Sequence, residues 1–551
     1  MKALAQAAIR RLPSFVRAAA GPYALPIPTG ARRTLALLWL GLGLVSLILS
    51  GLFSVLLVLS RAPYVKDVFP LVDFFHVALV VHVDLSVLVW FIAFAGAFWT
   101  LNSTARGLPL AWVALVLAAV GTFLMAAAPF LAREPAVMSN YVPVLDGPVF
   151  LTGLSMFALG FALLTVRSMA AAPPVGVRPD GAAALRFGLN ASVVSAAVAL
   201  LAFAWSYLLL PSGLEDKAYY ELLFWSGGHV LQFTYTLLMF VAWLWLASAG
   251  GVRVPLTPRV VLLLFGIGLV SVFGMPVIHL AHDITSVEYH RWHTWLMGFG
   301  GGLAILPFAL AVVLALAAAP APRAEQRPLR AALVASLLLF GTGGLIGLAI
   351  EGSNVKIPAH YHGCIVGVTL AFMGIAYHLL PRLGFAAPRP GLATWQCYLY
   401  GGGQLFHILG LLWSGGYGVQ RKMAGGAEVL EGIGRTAGMG LMGVGGLVAV
   451  AGGLLFVLVV ALAVLSTPWG ARLRAREGID EPEGEHGEWQ DDGEIDEASV
   501  FESGTSGALD AVQDPVGEEV QPDGNDGEID DFHGRPRGRR PHLSTVAPPG
   551  T

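Results

Sequence analysis

The sequence predicts an all-α, polytopic membrane protein with about twelve transmembrane helices, and three observations predict it. Of 551 residues, 56% are hydrophobic and 13% charged, with a mean hydropathy of +0.69, beyond the apolar share of an ordinary soluble domain. Apolar runs recur that reach the about 20 residues a helix needs to cross a hydrocarbon core about 30 Å thick. The charges are segregated too: residues 477–551 hold 21 of the 36 acids and only 4 of the 33 Lys and Arg.

In chain order the spans are expected at roughly 34–60, 71–99, 110–131, 146–169, 185–211, 221–248, 258–282, 287–318, 330–350, 358–381, 395–416 and 435–466. The first is too long for the apolar part of a secretory leader and follows about thirty residues, so it is read as a span. Three segments result: a short N-terminal one at 1–33, the membrane domain at 34–466 and an acidic tail at 467–551. The tail is rich in Gly and Pro and poor in aromatics, which leaves too little apolar surface to offset ordering entropy, so disorder is expected there. Residues 1–476 keep 29 Lys and Arg against 15 acids, a net +14. Distributing Lys and Arg over alternate sides of twelve spans gives 20 on the side of the termini and 9 on the other, which places both termini in the cytoplasm.

The chain has only two cysteines, Cys364 and Cys397, which excludes both a CxxCH haem attachment and a thiolate copper site. Histidine carries the information instead. Eleven of the fourteen lie between His76 and His407, in or beside predicted spans. An ionisable side chain is costly there unless it has a partner. One such histidine is as readily a hydrogen-bonded packing residue. A bundle lined by many is how haem and metal sites are built between facing helices. The sharpest segment is IPAHYHGCIVGVTLAFMGIAYHLLPRLG, residues 357–384, where His360 and His362 stand two positions apart. At about 100° per residue they face opposite sides of one helix. They therefore suit two different groups better than one shared ion.

These residues resemble a known family. AHYHG followed by FMGIAYHLLPRL is similar to the tenth helix of haem-copper oxidase subunit I. In that family the first histidine holds a high-spin haem and the second a low-spin haem, which implies those roles for His360 and His362. FHILGLLWSGGYGVQRK, 406–422, resembles the eleventh helix, whose closing cations hold haem propionates, here Arg421 and Lys422. HVDLSVLVWFIAF, 82–94, resembles the second-helix segment that supplies the other low-spin ligand, implying His82, with His76 as the competitor. WSGGHVLQFTY, 225–235, resembles the sixth-helix segment whose histidine binds the non-haem metal, implying His229. VIHLAHDITSV, 277–287, resembles the seventh-helix segment that usually carries two adjacent histidines, where this chain has His282 and Asp283. The resemblance covers roughly 70–466, with its segments in the family's order. It implies two haems, one non-haem iron or copper, and an electron-donor partner of the cytochrome c or cupredoxin-like kind.

Departures from the pattern bear on the substrate. Members that reduce dioxygen carry a tyrosine beside the metal, either four residues after the sixth-helix histidine, here Phe233, or on the seventh helix, where 258–281 has none. Tyr235 lies about 240° round the helix from His229 and points away. Two histidines and a carboxylate, His229, His282 and Asp283, form a set typical of non-haem iron, while His279 as third ligand would restore three imidazoles and suit copper. Resemblance to atypical nitric oxide reductases makes reduction of NO to N2O the leading expectation, with dioxygen reduction the alternative. The eighth helix lacks lysine after His293, the sixth lacks an interior carboxylate and LNSTARGLP lacks aspartate, so a cytoplasmic proton route of the usual kind is not expected. Acids gather instead at Glu215, Asp216, Glu221, Glu288 and Glu351 on the outer side, from which protons are expected to arrive. The implied partners are lipid, an electron donor and a small gas, not nucleic acid. A transporter would share the twelve spans but leaves the ordered histidines unexplained, and shows no related halves. A plain cytochrome b would need neither His229 nor a second metal.

Overall fold

The computed structural model describes residues 2–13, 16, 22–59, 74–352, 354–417, 419 and 433–467. Residues 468–551, Arg421 and Lys422 lie outside them, and with them nearly all of the tail expected from 467.

After a short α1, Lys2–Arg11, the first span is α2, Ala31–Leu59. The second is α3, Phe74–Val83, which passes through a π-helical turn, Asp84–Val89, into α4, Trp90–Asn102. Next come α5, Leu108–Leu131; α6, Pro148–Ala170; α7, Gly181–Leu209; and α8, Asp216–Ala249. The seventh span is split into α9, Pro258–Val272, and α10, Gly274–Ala281. Pro276 has no N–H to return to the carbonyl one turn earlier, which accounts for the break at Phe273. The eighth span joins α11, Val287–Trp295, through a second π-helical turn, Leu296–Gly301, to α12, Gly302–Ala318. The last four helices are α13, Arg327–Gly347; α14, Lys356–Arg382; α15, Pro390–Gly416; and α16, Ile433–Leu465.

Eleven of these spans are long and apolar enough to cross a bilayer. The twelfth expected span, 395–416, is a helix of 27 residues, as long as α14, but its Thr, Gln and Gly residues lower its hydropathy. Glycine serves another purpose there. A Cβ on Gly403 would come within 3.0 Å of the Gly445 carbonyl and the Ala449 backbone, and one on Gly410 would do the same at Gly438 and Met442. α15 and α16 thus meet backbone to backbone, a contact that small residues permit between membrane helices.

Burial identifies the centre of the bundle. The apolar windows of α8 and α14 are 94% and 89% buried, against 28% for α16 and 33% for the eighth span, whose Phe299 and Leu306 face outward. Aromatic pairs lock the central helices to their neighbours: Phe94 stacks on Phe372 at 4.5 Å and Phe240 on Phe308 at 4.4 Å.

A two-strand ladder lies between α5 and α6. β1, Ala136–Val137, pairs antiparallel with β2, Val144–Leu145, in the register Ala136 with Leu145 and Val137 with Val144. The buried Glu134 carboxylate fixes its base by accepting the Val149 and Phe150 N–H groups at 2.7 and 3.1 Å, at the positive end of α6. Its tip is held against the first turns of α8, where Glu221 accepts the Asn140 N–H at 2.9 Å and also its side-chain amide. Tyr220 donates to Asp146 at 2.6 Å beside it.

The glycine seam gives a direct test. Gly403→Leu should lower the yield and melting temperature of the purified protein, because overpacking against backbone costs about 1–3 kcal/mol or more. Gly402→Leu, whose added side chain meets open space, should leave both nearly unchanged.

Candidate functional site

Two histidine clusters form towards the end of the bundle at which α8, α11 and α14 begin. The first draws on α8, α10 and α11. His229, His279 and His293 are all buried, and the ring of His293 lies 5.7 Å from that of His229 and 5.8 Å from that of His279. Each donates its Nδ1–H to the carbonyl one helical turn earlier: His229 to Trp225 at 2.7 Å, His279 to Met275 at 3.2 Å and His293 to Tyr289 at 2.8 Å. That bond fixes the tautomer and leaves the Nε2 lone pair free to accept, the arrangement of metal-binding imidazoles generally. The three lone pairs accept from hydroxyls, Tyr141 at 2.8 Å, Tyr289 at 3.1 Å and Ser226 at 2.8 Å respectively. Among the described residues no three His, Cys, Asp or Glu side chains converge tightly enough to hold an ion as they stand. Three imidazoles, two of them flanking His293 and each with an Nε2 lone pair, nonetheless fit a second-metal site in kind and number.

The predicted set of His229, His282 and Asp283 is not brought together. α10 ends at Ala281, and Asp283 turns its carboxylate back to accept the N–H and hydroxyl of Thr285 at 2.8 and 2.5 Å, a local turn that a short acidic side chain favours. Ser286 then caps α11 by accepting the Tyr289 N–H at 3.1 Å. Asp283 is consequently exposed, and its bonds from Thr285 hold its carboxyl below the usual carboxylate range. His282, carried past the helix end, stacks on Trp292 at 6.4 Å. His279, the alternative ligand, joins the cluster instead, together with His293, which the sequence reading left without a role.

Two tyrosines complete this cluster, and sequence reasoning missed both. Tyr289 is fully buried on α11, four residues before His293, with the two rings 4.4 Å apart. The i to i+4 spacing in EYHRWH was the available signal. Tyr141 comes from the tip between β1 and β2, 88 residues from His229 in sequence. It adopts a left-handed φ of 66°, rare for a bulky side chain, and its ring occupies the space that a Cβ on Gly228 would fill. Burial, and then the nearby Glu221 charge, push its phenol above the usual range, so it remains a proton donor at working pH.

The second cluster joins α3, α13, α14, α15 and α16. His82 donates Nδ1–H to the Ser50 carbonyl of α2 at 2.9 Å, and His362 donates to Pro358 at 2.8 Å. His362 interacts electrostatically with both His82 and His407, and the His407 ring is 5.3 Å away. His360 turns to the other side of α14 and donates to the Gly343 carbonyl of α13 at 2.7 Å. That carbonyl is reachable because Gly343 and Gly363 let α13 and α14 approach, while Gly347 leaves room for the imidazole ring. His360 and His362 thus engage different helices, as their spacing predicts. His76, the competitor of His82, stands against Phe75 with ring centroids 5.2 Å apart. Phe233 is buried and Tyr235 packs edge-on to Phe91 at 4.8 Å, away from the first cluster. Glu215, Asp216, Glu288 and Glu351 are exposed, and Glu221 is engaged with Asn140.

Comparison with known proteins identifies the family and the fold. The profile of the family described as cytochrome c and quinol oxidase polypeptide I matches residues 34–461. An uncharacterized protein of Rickettsia prowazekii is 30% identical over 496 residues, covering 77% of this chain and 95% of its own length. An uncharacterized protein of Aquifex aeolicus is 28% identical over 358 residues, covering 63% and 85%. In fold, the chain is similar to a heme-copper terminal oxidase solved as a dimer by cryo-electron microscopy, with a TM-score of 0.64, 19% identity, and 80% of this chain and 85% of that one covered.

His279→Ala and His293→Ala should each lower the non-haem metal bound per protein while haem content is unchanged, measured by elemental analysis and haem extraction. Asp283→Ala should leave metal and haem unchanged. Loss of metal from Asp283→Ala with retention in His293→Ala would reverse the assignment.

Proposed function

Because the chain belongs to the cytochrome c and quinol oxidase polypeptide I family, whose members are integral membrane oxidoreductases that bind haems and a copper or other non-haem metal, we propose that it reduces dioxygen to water as a terminal oxidase catalytic subunit. A low-spin haem would be held by His82 and His362, a high-spin haem by His360, and the second metal by His229, His279 and His293. When bound, the haem iron and the second metal would supply electrons to the substrate and Lewis-acid stabilisation of the developing charge.

The observation that carries this reading is the pair of phenols at the metal cluster, with the Tyr141 and Tyr289 hydroxyls 2.8 and 3.1 Å from Nε2 of His229 and His279. Four-electron reduction of dioxygen consumes four protons, and each phenol holds one at the pocket within hydrogen-bond reach. Nitric oxide is favoured in the sequence by the missing tyrosine, the carboxylate at 283, the lack of a usual cytoplasmic proton route and the resemblance to atypical nitric oxide reductases, and the first two weigh less beside the folded chain. Tyrosines from other elements stand beside the imidazoles, and Asp283 faces solvent. The chain's own residues do the remaining work. Glu221, through Asn140, holds the Tyr141 hairpin over the cluster. Trp225 packs between His229 and His290, at 4.8 and 4.7 Å. Electrons would come from a cytochrome c or cupredoxin-like partner, since the chain supplies no earlier entry point than the low-spin haem. The charge balance of the connecting segments supports a cytoplasmic membrane location with both termini inside. Reduction of nitric oxide is the second reading, favoured by Phe233, which leaves the family's usual tyrosine position apolar.

Oxygen and nitric oxide consumption by the purified protein, supplied with an artificial electron donor, tests both. Dioxygen should be the faster substrate. Tyr289→Phe should lower oxygen turnover about a hundredfold or more with haem spectra and metal content intact, the size expected for a positioned proton donor. Tyr141→Phe should do so to a lesser degree. Faster nitric oxide consumption that neither variant slows would favour the second reading.

A further inference from the structure

At the opposite end of the bundle from the histidines, the starts of α2 and α7 and the end of α4 enclose a cleft of about 430 Å³. This lies within the roughly 300–1,000 Å³ of small-molecule sites. We infer that it binds a phosphodiester headgroup carrying a neighbouring hydrogen-bond donor.

The charge argument comes first. Arg32 and Arg186 line the cleft, and no Asp or Glu does. Behind it lies a third guanidinium, Arg167, which is 1% exposed and donates to the Ser103 hydroxyl at 2.7 Å and the Thr104 carbonyl at 2.9 Å. Arg32 donates to the Ser103 carbonyl, so two like charges converge on one residue. The acid nearest in sequence to Arg186, Asp180, is used to cap α7 by accepting the Ala183 N–H at 2.7 Å. Guanidinium groups gathered without a counter-charge favour an anion, and the planar fork of arginine suits phosphate oxygens.

The second observation limits which anion fits. Asn102, on the cleft wall, is 7% exposed; its Nδ2 donates to Asn190 at 3.0 Å, but its Oδ1 has no partner among the described residues. A buried acceptor of this kind needs a donor, and a phosphodiester has none of its own. A hydroxyl or ammonium next to the phosphate supplies it. Pro26 and Pro28, which also line the cleft, carry no N–H and cannot serve. Phosphatidylethanolamine and phosphatidylglycerol headgroups have this chemistry, as do their water-soluble glycerophosphodiesters, whereas phosphatidylcholine lacks the donor. The lipid source is favoured because the cleft opens where spans begin and end, at headgroup depth, and basic pockets between spans take lipid headgroups.

The test is native mass spectrometry of the full-length protein reconstituted in mixed phosphatidylethanolamine and phosphatidylcholine nanodiscs and then released. Phosphatidylethanolamine should be retained about tenfold over phosphatidylcholine, the fold-change of one lost polar contact at a buried acceptor. Arg186→Gln should lower its retention by a similar factor, and the double variant with Arg32→Gln further. Asn102→Leu should keep binding but erase the discrimination between the two lipids. Should the double variant fail to fold, Arg186→Gln and Asn102→Leu still decide the matter. Displacement of the retained lipid by millimolar glycerophosphoethanolamine would assign the same site to a soluble ester. Equal retention of both lipids by the wild type, or unchanged retention in Arg186→Gln, would overturn the inference.

Discussion

A neutral imidazole can offer a lone pair from only one of its nitrogens, and which one is settled by where the other sends its proton. In this protein His82, His229, His279, His293, His360 and His362 all send Nδ1–H to a backbone carbonyl. Backbone carbonyls are the most rigid acceptors a helical bundle possesses, so the direction of every candidate ligand is set by the fold itself. Four of the six use the carbonyl one turn earlier on their own helix and require only that the helix be regular. His82 and His360 reach across to α2 and α13, which makes their orientation depend on how closely those helices approach. His378 shows the contrast: its Nδ1 lies 3.2 Å from the Arg382 guanidinium, and its Nε2 is buried without a partner among the described residues. Nothing in its surroundings prepares it as a ligand in the same way.

Close approach is supplied by glycine. Gly343 against Gly363, and Gly403 and Gly410 against α16, bring backbones together where any side chain would hold them apart. The same substitution pattern that makes α15 less apolar than a typical span makes it a better neighbour. Hydropathy and packing therefore compete within this helix, and packing decides its composition.

Most of the fold was legible in the sequence because a bilayer allows few alternatives. Apolar runs of the right length become helices, and the expected spans agree with the observed ones to within several residues except where polar starts, as at Asp216, extend them. That His360 and His362 take opposite sides of α14 was legible by counting, whereas the acceptors of His82 and His360 on α2 and α13 were not. The first cluster of imidazoles was only half legible. Whether His279 or His282 faces inward depends on where α10 stops, and that is decided by Asp283 folding back on Thr285, a preference of a few local atoms. Tyr141 was out of reach altogether, because a short hairpin between spans has no periodicity and its position depends on the hold of Glu134 on α6 and of Glu221 of α8 on Asn140. Two weak strands thus place a residue at the site that twelve strong helices do not.

The depth of the histidines along α14 has an electrical meaning. His362 lies six residues from Lys356 and twenty from Arg382, about 9 Å and about 30 Å at the rise of an α-helix. A charge entering from the Lys356 end therefore crosses roughly a quarter of the span before it reaches that imidazole. Since moving one charge across the whole membrane is worth about 2.3 kcal/mol per 100 mV, such a transfer involves only about 0.5 kcal/mol. If electrons and protons both take that short path, their contributions oppose and nearly cancel. The reaction would then proceed at almost the same driving force in an energised membrane as in a collapsed one, and would serve to remove an oxidant or discharge reductant without storing energy across the bilayer.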